Sequence, residues 1–586
     1  MGAACVPQQM PEPTAYSEST ALDRPVLAQA TVMPSPPPVD AIVPTLVVPT
    51  PLAVEQSVQP TPRPQVSVLE RIRTEGILRV GTLFNNPPMS ALSERGTVEG
   101  YEADLARAIA EDWGVEVQFV QVTRQNGTAM LLSGDVDLLM ASVVHERELE
   151  SELAFSQPYF INGHMFLLRQ DSPVNSVQDV SGLRVGVVQG TASERQLGRV
   201  LSRGELSVEP QLYLTLGQAV GALGAGEVDA VLAERVQLLS VAARTDQVRL
   251  LAEPLIPGPL AVAMRRHENA LRYLVDRSLQ RIAAAGDLDN YRRTWFPNVT
   301  FLLEMPVWEG LDEDTRGVQD FDTALVYPES SIVDRIRTGE AVRMAGFGEG
   351  AAPGGLPGRL DAFYRALAEE MGSRWGVTVE LLPGTVDNAV ALVEGGQADI
   401  AIGVTPRWNG PMNVAYTSPI IRHGKRMMRL VNSNIEGFAD LRGGRWVGIF
   451  ASEPGTADQV NALAESVNTA VNIFTIVNDE DAVFSLTVEK NIDVVFGDSL
   501  RLLPQVTANP ELVELTDRWY STEYYAFAVP RNDPDFWALV EVTLQEIARD
   551  GTFARLYQEY VAAGDPVTVY VWPGDNTVFL GVSLQP

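Results

Sequence analysis

Cysteine, histidine and long apolar runs are all scarce in this chain of 586 residues. Cys5 is the only cysteine, which excludes an intramolecular disulfide and a zinc site made of thiolates. The four histidines are scattered and form no HExxH pair, so we predict no metal site. No run of about 18 apolar residues occurs, and the sequence therefore offers no segment that would span a bilayer.

Positive charge is scarce as well. The chain has 44 Lys and Arg against 75 Asp and Glu, which gives a formal net charge of −31. Because no basic patch is evident, this balance argues against nucleic acid or anionic lipid as a general partner. The apolar fraction of 45% is ordinary for a globular protein, and the length allows about two to four domains.

Residues 1–66 are the part of the chain least like a folded domain. Residues 6–66 are dense in proline, which withholds backbone donors and favours an extended spacer. The tetrapeptide Gly-Ala-Ala-Cys that ends at Cys5 resembles the end of a bacterial lipobox, although the usual leucine and the upstream apolar region are missing. Either Met1 is not the true start or the likeness is accidental, and the proline-rich tether favours the first. We therefore expect a lipid anchor on Cys5.

Two later segments have nearly the same sequence. SVLERIRTEGILRVG begins at Ser67, and SIVDRIRTGEAVRMA begins at Ser331. The triplet Trp-Gly-Val that begins at Trp113 likewise recurs at Trp375. Because the correspondences keep nearly the same spacing, the sequence predicts a tandem duplication.

Strands and helices alternate within each copy. ILRVGTLF and VDLLMASVV predict buried strands, and YEADLARAIAEDWG predicts an amphipathic helix between them. A helix followed by Gly-x-x-Asp and an apolar strand occurs as MLLSGDVDLLM, GALGAGEVDAVL, ALVEGGQADIAI and, with Lys490 in place of the glycine, SLTVEKNIDVVF. Gly134 would supply the left-handed residue that ends the first of these helices. These units predict an α/β fold with two lobes in each copy.

Several motifs of the first copy resemble one protein family. GYEADLARAIAEDWG, LLSGDVDLLMASVV, AFSQPYF and LRVGVVQGTASE follow one another with family-like spacing. They are similar to the bacterial extracellular solute-binding proteins of family 3, the amino-acid-binding components of ABC importers. The likeness covers about residues 67–297 and, more faintly, residues 340–561.

This resemblance implies tandem periplasmic-binding-protein-like domains. Each would have two α/β lobes joined by a two-strand hinge, with the ligand in the cleft between the lobes. We place the first domain at residues 67–300 and a divergent second domain at residues 331–564. Residues 301–330 are expected to form an acidic linker, so that the domains fold separately. Residues 565–586 are interpreted as a tail with a hairpin around the PGDN motif.

An amino acid needs a fork of donors for its carboxylate and an acid for its ammonium group. The resemblance assigns the carboxylate to Arg147 and the Gly190-Thr191 turn, and the ammonium group to Glu234. Arg147 lies two positions further from the Phe-Ser motif than is usual in the family. The alternatives are an exposed Arg147 paired with neighbouring acids and a surface Glu234. The other ligand-binding candidates of the first copy are Phe84, which competes with a core role, Asn86 and Ser142.

The second copy departs further from the family pattern. Its Gly-Thr turn is interpreted as Ala451-Ser452-Glu453-Pro454, whose glutamate would repel a carboxylate and whose proline removes a donor. Asp498 keeps the position of Glu234. The ligand-binding candidates here are Phe347, Arg407 and Asp498, and we expect this copy to bind a different ligand or none.

The function expected from the resemblance is capture of a small polar ligand, an amino acid, outside the cytoplasm for delivery to an ABC permease. No cofactor is expected, because the sequence has neither a phosphate-binding loop nor a Ser/His/Asp arrangement. Two alternatives remain open. One is a sensory or scaffolding use of the same fold, and the other is a dehydratase in which Glu234 acts as the general acid.

Overall fold

The computed structural model describes residues 67–297, 304–313, 318–319, 327–348, 355–562 and 578–584, apart from the side chains of residues 386 and 387. Cys5, the proline-rich segment and the PGDN motif lie outside these ranges. Among the described residues, no helix is both long enough and apolar enough to cross a membrane.

The first repeat, residues 67–297, alternates strands and helices throughout. Its elements are α1 (Val68–Glu75), β1 (Ile77–Thr82), β2 (Asn85–Asn86), β3 (Ser90–Leu92), β4 (Val98–Glu99), α2 (Tyr101–Trp113), β5 (Glu116–Gln121), α3 (Gly127–Ser133), β6 (Leu138–Leu139), β7 (Leu153–Ile161), β8 (His164–Arg169), β9 (Arg184–Val188), α4 (Ala192–Ser202), β10 (Glu209–Tyr213), α5 (Leu216–Ala225), β11 (Ala230–Glu234), α6 (Arg235–Ala242), β12 (Val248–Leu250), β13 (Pro259–Arg265), α7 (Asn269–Ala284) and α8 (Asp287–Trp295). Short 3-10 helices cover Arg147–Ser151 and Gln178–Val180.

The second repeat, residues 331–562, follows the same plan and is followed by a short hairpin. Its elements are α9 (Ile332–Arg337), β14 (Val342–Phe347), α10 (Leu356–Trp375), β15 (Val379–Pro383), α11 (Val386–Glu394), β16 (Ile400–Val404), β17 (Val414–Tyr416), β18 (Ile421–His423), β19 (Lys425–Leu430), β20 (Trp446–Phe450), α12 (Thr456–Ser466), β21 (Asn472–Ile476), α13 (Asp481–Phe484), β22 (Val494–Asp498), α14 (Ser499–Ala508), β23 (Val513–Leu515), β24 (Glu523–Pro530), α15 (Pro534–Arg549) and α16 (Thr552–Tyr560), then β25 (Val578–Phe579) and β26 (Val582–Ser583). A 3-10 turn covers Phe438–Asp440, and a π-helical turn covers Ser485–Glu489.

Each repeat has two lobes whose sheets share one strand order. In the first repeat, the sheet of lobe one runs β5-β1-β6-β13-β7 and that of lobe two runs β10-β9-β11-β8-β12. The corresponding sheets of the second repeat are β15-β14-β16-β24-β17, with β18 also paired to β24, and β21-β20-β22-β19-β23. Strands β13 and β24 return to lobe one after lobe two is complete. The predicted α/β fold of tandem two-lobed domains is confirmed.

The aspartates of the four Gly-x-x-Asp units occupy equivalent places. Each accepts a hydrogen bond from a backbone N–H at the start of the neighbouring strand, which fixes the turn against the sheet. The pairs are Asp137 with Arg79 (2.8 Å), Asp229 with Arg184 (3.1 Å), Asp399 with Arg343 (2.8 Å) and Asp493 with Trp446 (2.8 Å). Gly134 ends its helix at φ 84°, as predicted, and Lys490 takes the same left-handed region at φ 52°.

The repeated segments at Ser67 and Ser331 are helix starts with a shared capping device. Each serine hydroxyl accepts a hydrogen bond from a backbone N–H of its helix, at 3.2 Å for Ser67 and 3.0 Å for Ser331. The N–H of Val68 donates to Glu268 (3.2 Å) in the first repeat, and the N–H of Ile332 donates to Asp533 (2.7 Å) in the second. Both acids stand at the start of the long helix that follows the returning strand, so each entrance segment is fixed to lobe one.

In each repeat, the two chain segments that connect the lobes approach each other closely. A Cβ at Gly163 would lie 2.4 Å from the carbonyl oxygen of Ile256, and a Cβ at Gly424 would lie 2.2 Å from that of Ser521. Both glycines also have positive φ, 96° and 148°. Only glycine fits these positions, because a Cβ would overlap the backbone of the other connecting segment.

Residues 304–313, which lie between the repeats along the chain, pack against both of them. Met305, Trp308 and Leu311 are buried in one hydrophobic cluster that includes residues of both repeats. The indole of Trp308 stacks on that of Trp408, with ring centroids 4.6 Å apart. The amide oxygen of Gln280 accepts hydrogen bonds from the Trp308 backbone and the Trp408 indole, both at 2.7 Å. The described part of the predicted acidic linker therefore packs between the repeats through Met305, Trp308 and Leu311, and the separate folding of the two domains stays a prediction.

Candidate functional site

The cleft of the first repeat brings one charged group from each lobe together. Glu234 ends β11 in lobe two, and Arg124 follows β5 in lobe one. The guanidinium Nη2 of Arg124 lies 3.8 Å from Oε2 of Glu234. The turn that carries Arg124 is fixed by reciprocal hydrogen bonds between Thr123 and Asn126, at 2.7 and 3.2 Å. A small ligand in this cleft would meet a cation on one side and an anion on the other.

The Gly190-Thr191 turn opens helix α4, as the sequence predicts. The Thr191 hydroxyl caps the helix by accepting the Glu194 N–H at 3.3 Å, and it donates to the Val188 carbonyl at 2.6 Å. The Gly190 N–H donates to the Glu194 carboxylate at 2.5 Å. The carboxylate on this turn thus belongs to the chain itself, at a helix start whose N–H groups favour anions.

Behind the cleft of lobe one lies a buried carboxylate. Glu102 accepts hydrogen bonds from the Ser142 N–H at 2.7 Å and the Tyr159 hydroxyl at 2.6 Å. Burial raises the pKa of Glu102, although its donors act in the opposite direction. Asn86 donates to the Ser142 hydroxyl at 2.8 Å, so these two predicted residues are joined, and Phe84 is half-buried near them in sequence.

His164 connects the hinge of the first repeat to helix α4. Its Nδ1 lies 2.9 Å from the hydroxyl of the buried Ser193. Burial lowers the pKa of His164 and so favours the neutral ring.

The second repeat fills the equivalent face of lobe two with its own side chains. Glu453, in the loop between β20 and α12, contacts the Lys425 ammonium group and lies 3.1 Å from Nε of Arg501. It also accepts the Asp498 N–H at 3.1 Å. The Asp498 carboxylate is engaged as well, by Nδ1 of His423 at 2.8 Å and by the Leu500 N–H at 2.8 Å.

The remaining candidates of the second repeat do not converge on this cluster. Arg407 forms an exposed ion pair with Glu309 of the connecting segment at 3.1 Å. Phe347 is buried in the core of lobe one, beneath the guanidinium of Arg365 at 5.0 Å from the ring centroid. Phe347 is therefore a packing residue.

No group of three or more metal-ligating side chains occurs in the described part of the chain.

The sequence model of the bacterial extracellular solute-binding proteins, family 3, matches residues 78–298 and again residues 357–563, which together exceed half of the chain. The chain belongs to this family.

Characterised relatives of this family 3 protein match about one repeat each. An amino-acid-binding protein of Dichelobacter nodosus is 29% identical over 36% of this chain and 85% of the relative. The ABC transporter glutamine-binding protein of Bacillus subtilis is 28% identical over 34% of this chain and 73% of its own length. The L-cystine-binding protein of Escherichia coli is 25% identical over 39% of this chain and 86% of the relative.

Arg147 of this family 3 protein does not lie in the cleft. Its side chain is 0% exposed and forms an ion pair with Glu546 of the second repeat, and it also donates to the Val542 carbonyl at 3.4 Å. The extra spacing before the Phe-Ser motif carries the loop outward, into the interface between the repeats. The alternative of an exposed Arg147 is corrected by the same burial.

The loop before helix α12 of the second repeat is longer than the loop before α4 and carries Glu453. Helix α12 begins at Thr456, after Gly455 in the left-handed region at φ 80°, and this N-cap residue has no side chain to accept a hydrogen bond. In the first repeat the Thr191 hydroxyl caps α4 instead. The replacement of the Gly-Thr turn by Ala451-Ser452-Glu453-Pro454 stays a prediction.

Sequence reasoning missed Arg124 and Arg501. Arg124 directly follows an edge strand of lobe one, and Arg501 lies in the first turn of the helix after Asp498. Each arginine lies within three residues of the end of a strand, and this position could have marked it as a candidate. Neither belongs to a motif that was recognised.

Proposed function

We propose that this family 3 protein captures a free α-amino acid in the cleft of its first repeat, outside the cytoplasm, and delivers it to an ABC permease. The observation that carries the proposal is the opposition of Arg124 and Glu234 across the cleft, 3.8 Å apart. An amino acid would separate this ion pair, its carboxylate pairing with Arg124 and its ammonium group with Glu234. Three relatives are named as binding proteins for an amino acid, glutamine and L-cystine, which supports the same class of ligand.

The ligand carboxylate would take the place now held by the Glu194 side chain. Gly190 is exposed at the start of α4, and its N–H donates to that glutamate. Arg124 adds a planar fork that suits a carboxylate. Glu234, with 24% of its side chain exposed, would receive the ammonium group.

The ligand side chain is proposed to be neutral. Leu83, in the loop directly after β1, is buried and uncharged, so this position offers no charge to a lysine or arginine side chain. Lobe one also places the Arg124 cation at the cleft, and a cationic side chain would be repelled by it. Phe84, Asn86 and Ser142 are proposed as the surface against which the side chain lies.

We also propose that the protein is anchored to a membrane. Residues 1–66 would tether the binding domains to the membrane through a lipid on Cys5. Loss of detergent partitioning in Cys5→Ala is the corresponding measurement, and unchanged partitioning would argue against the anchor. Binding without turnover is proposed throughout, in keeping with the names of the relatives.

Thermal unfolding of the full chain with a panel of amino acids, beginning with L-glutamine and L-cystine, tests the proposal. A ligand at about 100 times its Kd should add about 2.7 kcal/mol to the unfolding free energy of the repeat that binds it. Glu234→Gln should remove most of this gain and leave the unliganded melt nearly unchanged. Arg124→Gln should weaken binding by roughly 10- to 100-fold, because a charged hydrogen bond contributes about 1.5–3 kcal/mol.

Arg95→Gln is the matched control, since Arg95 is an exposed arginine of the same lobe. It should bind like the wild type. If no amino acid shifts the wild-type melt, or if the Arg95 and Arg124 variants behave alike, the assignment of the cleft is wrong.

A further inference from the structure

Lobe two of the second repeat contains a set of donors arranged around a single carboxylate. The Glu453 side chain is 8% exposed, and those of Lys425 and Arg501 are 15% and 11% exposed. Lys425 contacts one carboxylate oxygen, while Nε of Arg501 and the Asp498 N–H lie 3.1 Å from the other. Two cations and a backbone donor thus meet one anion in a largely buried place.

The surrounding residues hold the two cations in position. The Lys425 ammonium group also donates to the hydroxyl of the buried Thr456 at 3.1 Å. Nη1 of Arg501 donates to the Asp479 carboxylate at 2.8 Å, and its guanidinium lies 5.9 Å from the ring centroid of Phe450. The donors come from β19, β22 and α14, and α12 supplies the hydroxyl that accepts from Lys425, so the fold of the lobe, and not Glu453 alone, sets their geometry.

The first repeat gives a direct contrast. There the carboxylate on the helix start is that of Glu194, which caps the Gly190 N–H and is half-buried. The neighbouring Arg195 is exposed and donates to the Gly190 carbonyl at 3.2 Å. A solute could displace Glu194 by rotation of one side chain. Displacement of Glu453 would leave Lys425 and Arg501 without their shared partner, which is costly in a buried site.

We propose that this cluster is a carboxylate-binding pocket that the chain occupies permanently with Glu453. The second repeat then carries a built-in ligand in lobe two and accepts no amino acid there. Its pocket should bind a small free carboxylate once the Glu453 side chain is removed. The inference goes beyond the proposed function and holds whether or not the first repeat binds an amino acid.

Removal of the side chain leaves the required space. Glu453→Ala deletes the carboxylate and the Cγ methylene before it, while the donors remain anchored to separate elements. Gly497 contributes no side chain on this side, since a Cβ there would lie 3.5 Å from Oε1 of Glu453 and 2.7 Å from the Phe450 ring. Formate has the size of the deleted carboxylate and should enter the pocket.

The test is thermal unfolding of full-length Glu453→Ala in rising sodium formate, compared with sodium chloride at equal ionic strength. We expect the melting temperature to fall by roughly 5 °C or more without formate, because the Lys425 ammonium group loses its carboxylate and Arg501 keeps only that of Asp479. Formate, but not chloride, should restore most of this loss along a saturating curve. The wild type should respond equally to the two salts.

Two further variants control the result. Glu465→Ala removes an exposed glutamate of α12 and should change neither the melt nor the salt response. Glu453→Gln should be destabilised but should not respond to formate, because its amide fills the pocket. Equal effects of formate and chloride on Glu453→Ala would overturn the proposal, and so would a Glu453→Ala protein that formate cannot restore to the folded state.

Discussion

The carboxyl group of Glu541 lies buried between the two repeats. Its neighbours in the same cavity include Glu150, Arg272 and Trp537, and it accepts a hydrogen bond from the Ser418 N–H. Burial raises the pKa of Glu541 to about 7, and Glu150 adds to this effect while the Ser418 N–H and Arg272 oppose it. At neutral pH this side chain is close to its titration midpoint.

The sign of the pH dependence follows from this shift. Between pH 4.5, the ordinary value for a glutamate, and pH 7, the folded protein holds a proton that the unfolded chain has released. Stability therefore falls as the pH rises through this window. We expect Glu541→Gln to remove up to about 3 kcal/mol of the decline in unfolding free energy between pH 5 and pH 8. Chemical denaturation at the two pH values measures it.

Part of the decline should remain in Glu541→Gln, because burial also raises the pKa of Asp276 to about 6 in the same cavity. Glu465→Gln, on an exposed face, should keep the wild-type pH profile. A Glu541→Gln protein whose stability falls with pH as steeply as the wild type would show that the carboxyl is not protonated near pH 6.

At the same scale, the sequence predicted residues whose role depends on local structure. Gly190 and Thr191 open a helix, and Glu234 ends a strand, so a motif is enough to place them. Glu453 was recognised as an obstacle to a ligand carboxylate, but its partners Lys425 and Arg501 come from distant strands and helices. Nothing in the sequence near Glu453 showed that Lys425 and Arg501 neutralise its carboxylate.

At the scale of elements, the loops after β6 and β16 make equivalent contacts. Arg147, in the first loop, pairs with Glu546 of α15 in the second repeat. Trp408, in the second loop, donates to Gln280 of α7 in the first repeat at 2.7 Å. Each loop therefore packs on the long helix of the other repeat.

Arg147→Met should lower the unfolding free energy of the full chain by about 3 kcal/mol, because it leaves a buried glutamate with less compensation. The loss should lie at the low end of such effects, since Glu546 also pairs with Arg549 at 2.6 Å. The double variant Arg147→Met/Glu546→Met should recover part of it. Chemical denaturation measures all three proteins, with Arg95→Met as the exposed control.

If Arg147 instead bound the ligand, Arg147→Met would abolish amino-acid binding and leave the stability unchanged. That pair of results would contradict the structural placement. The placement was beyond sequence reasoning because the partners of Arg147 lie in a helix 395 residues further along the chain. The Gly-x-x-Asp units, by contrast, were predictable because their contacts stay within one lobe.

At the scale of the whole molecule, the repeats share a hydrophobic cluster that contains Trp308, Trp408 and Tyr416. The sequence showed the duplication and the two-lobed plan, because these are written in repeated patterns. It did not show the packing of the connecting segment, where acids alternate with Met305, Trp308 and Leu311. The boundaries near residues 300 and 331 remain a proposal, although the family matches end at residue 298 and resume at residue 357.

This arrangement assigns different tasks to similar halves. The first repeat keeps a cleft with displaceable groups, and the second has its equivalent charges fixed by internal ion pairs. We infer that each chain has one amino-acid site and that this site contains Glu234.

Isothermal titration of the full-length protein with the amino acid that gives the largest thermal shift tests this claim most directly. We expect a stoichiometry of about one amino acid per chain. The binding heat should be lost in Glu234→Gln and retained in Asp498→Asn, the equivalent change in the second repeat. A stoichiometry of two, or binding that survives Glu234→Gln and is lost in Asp498→Asn, would contradict it.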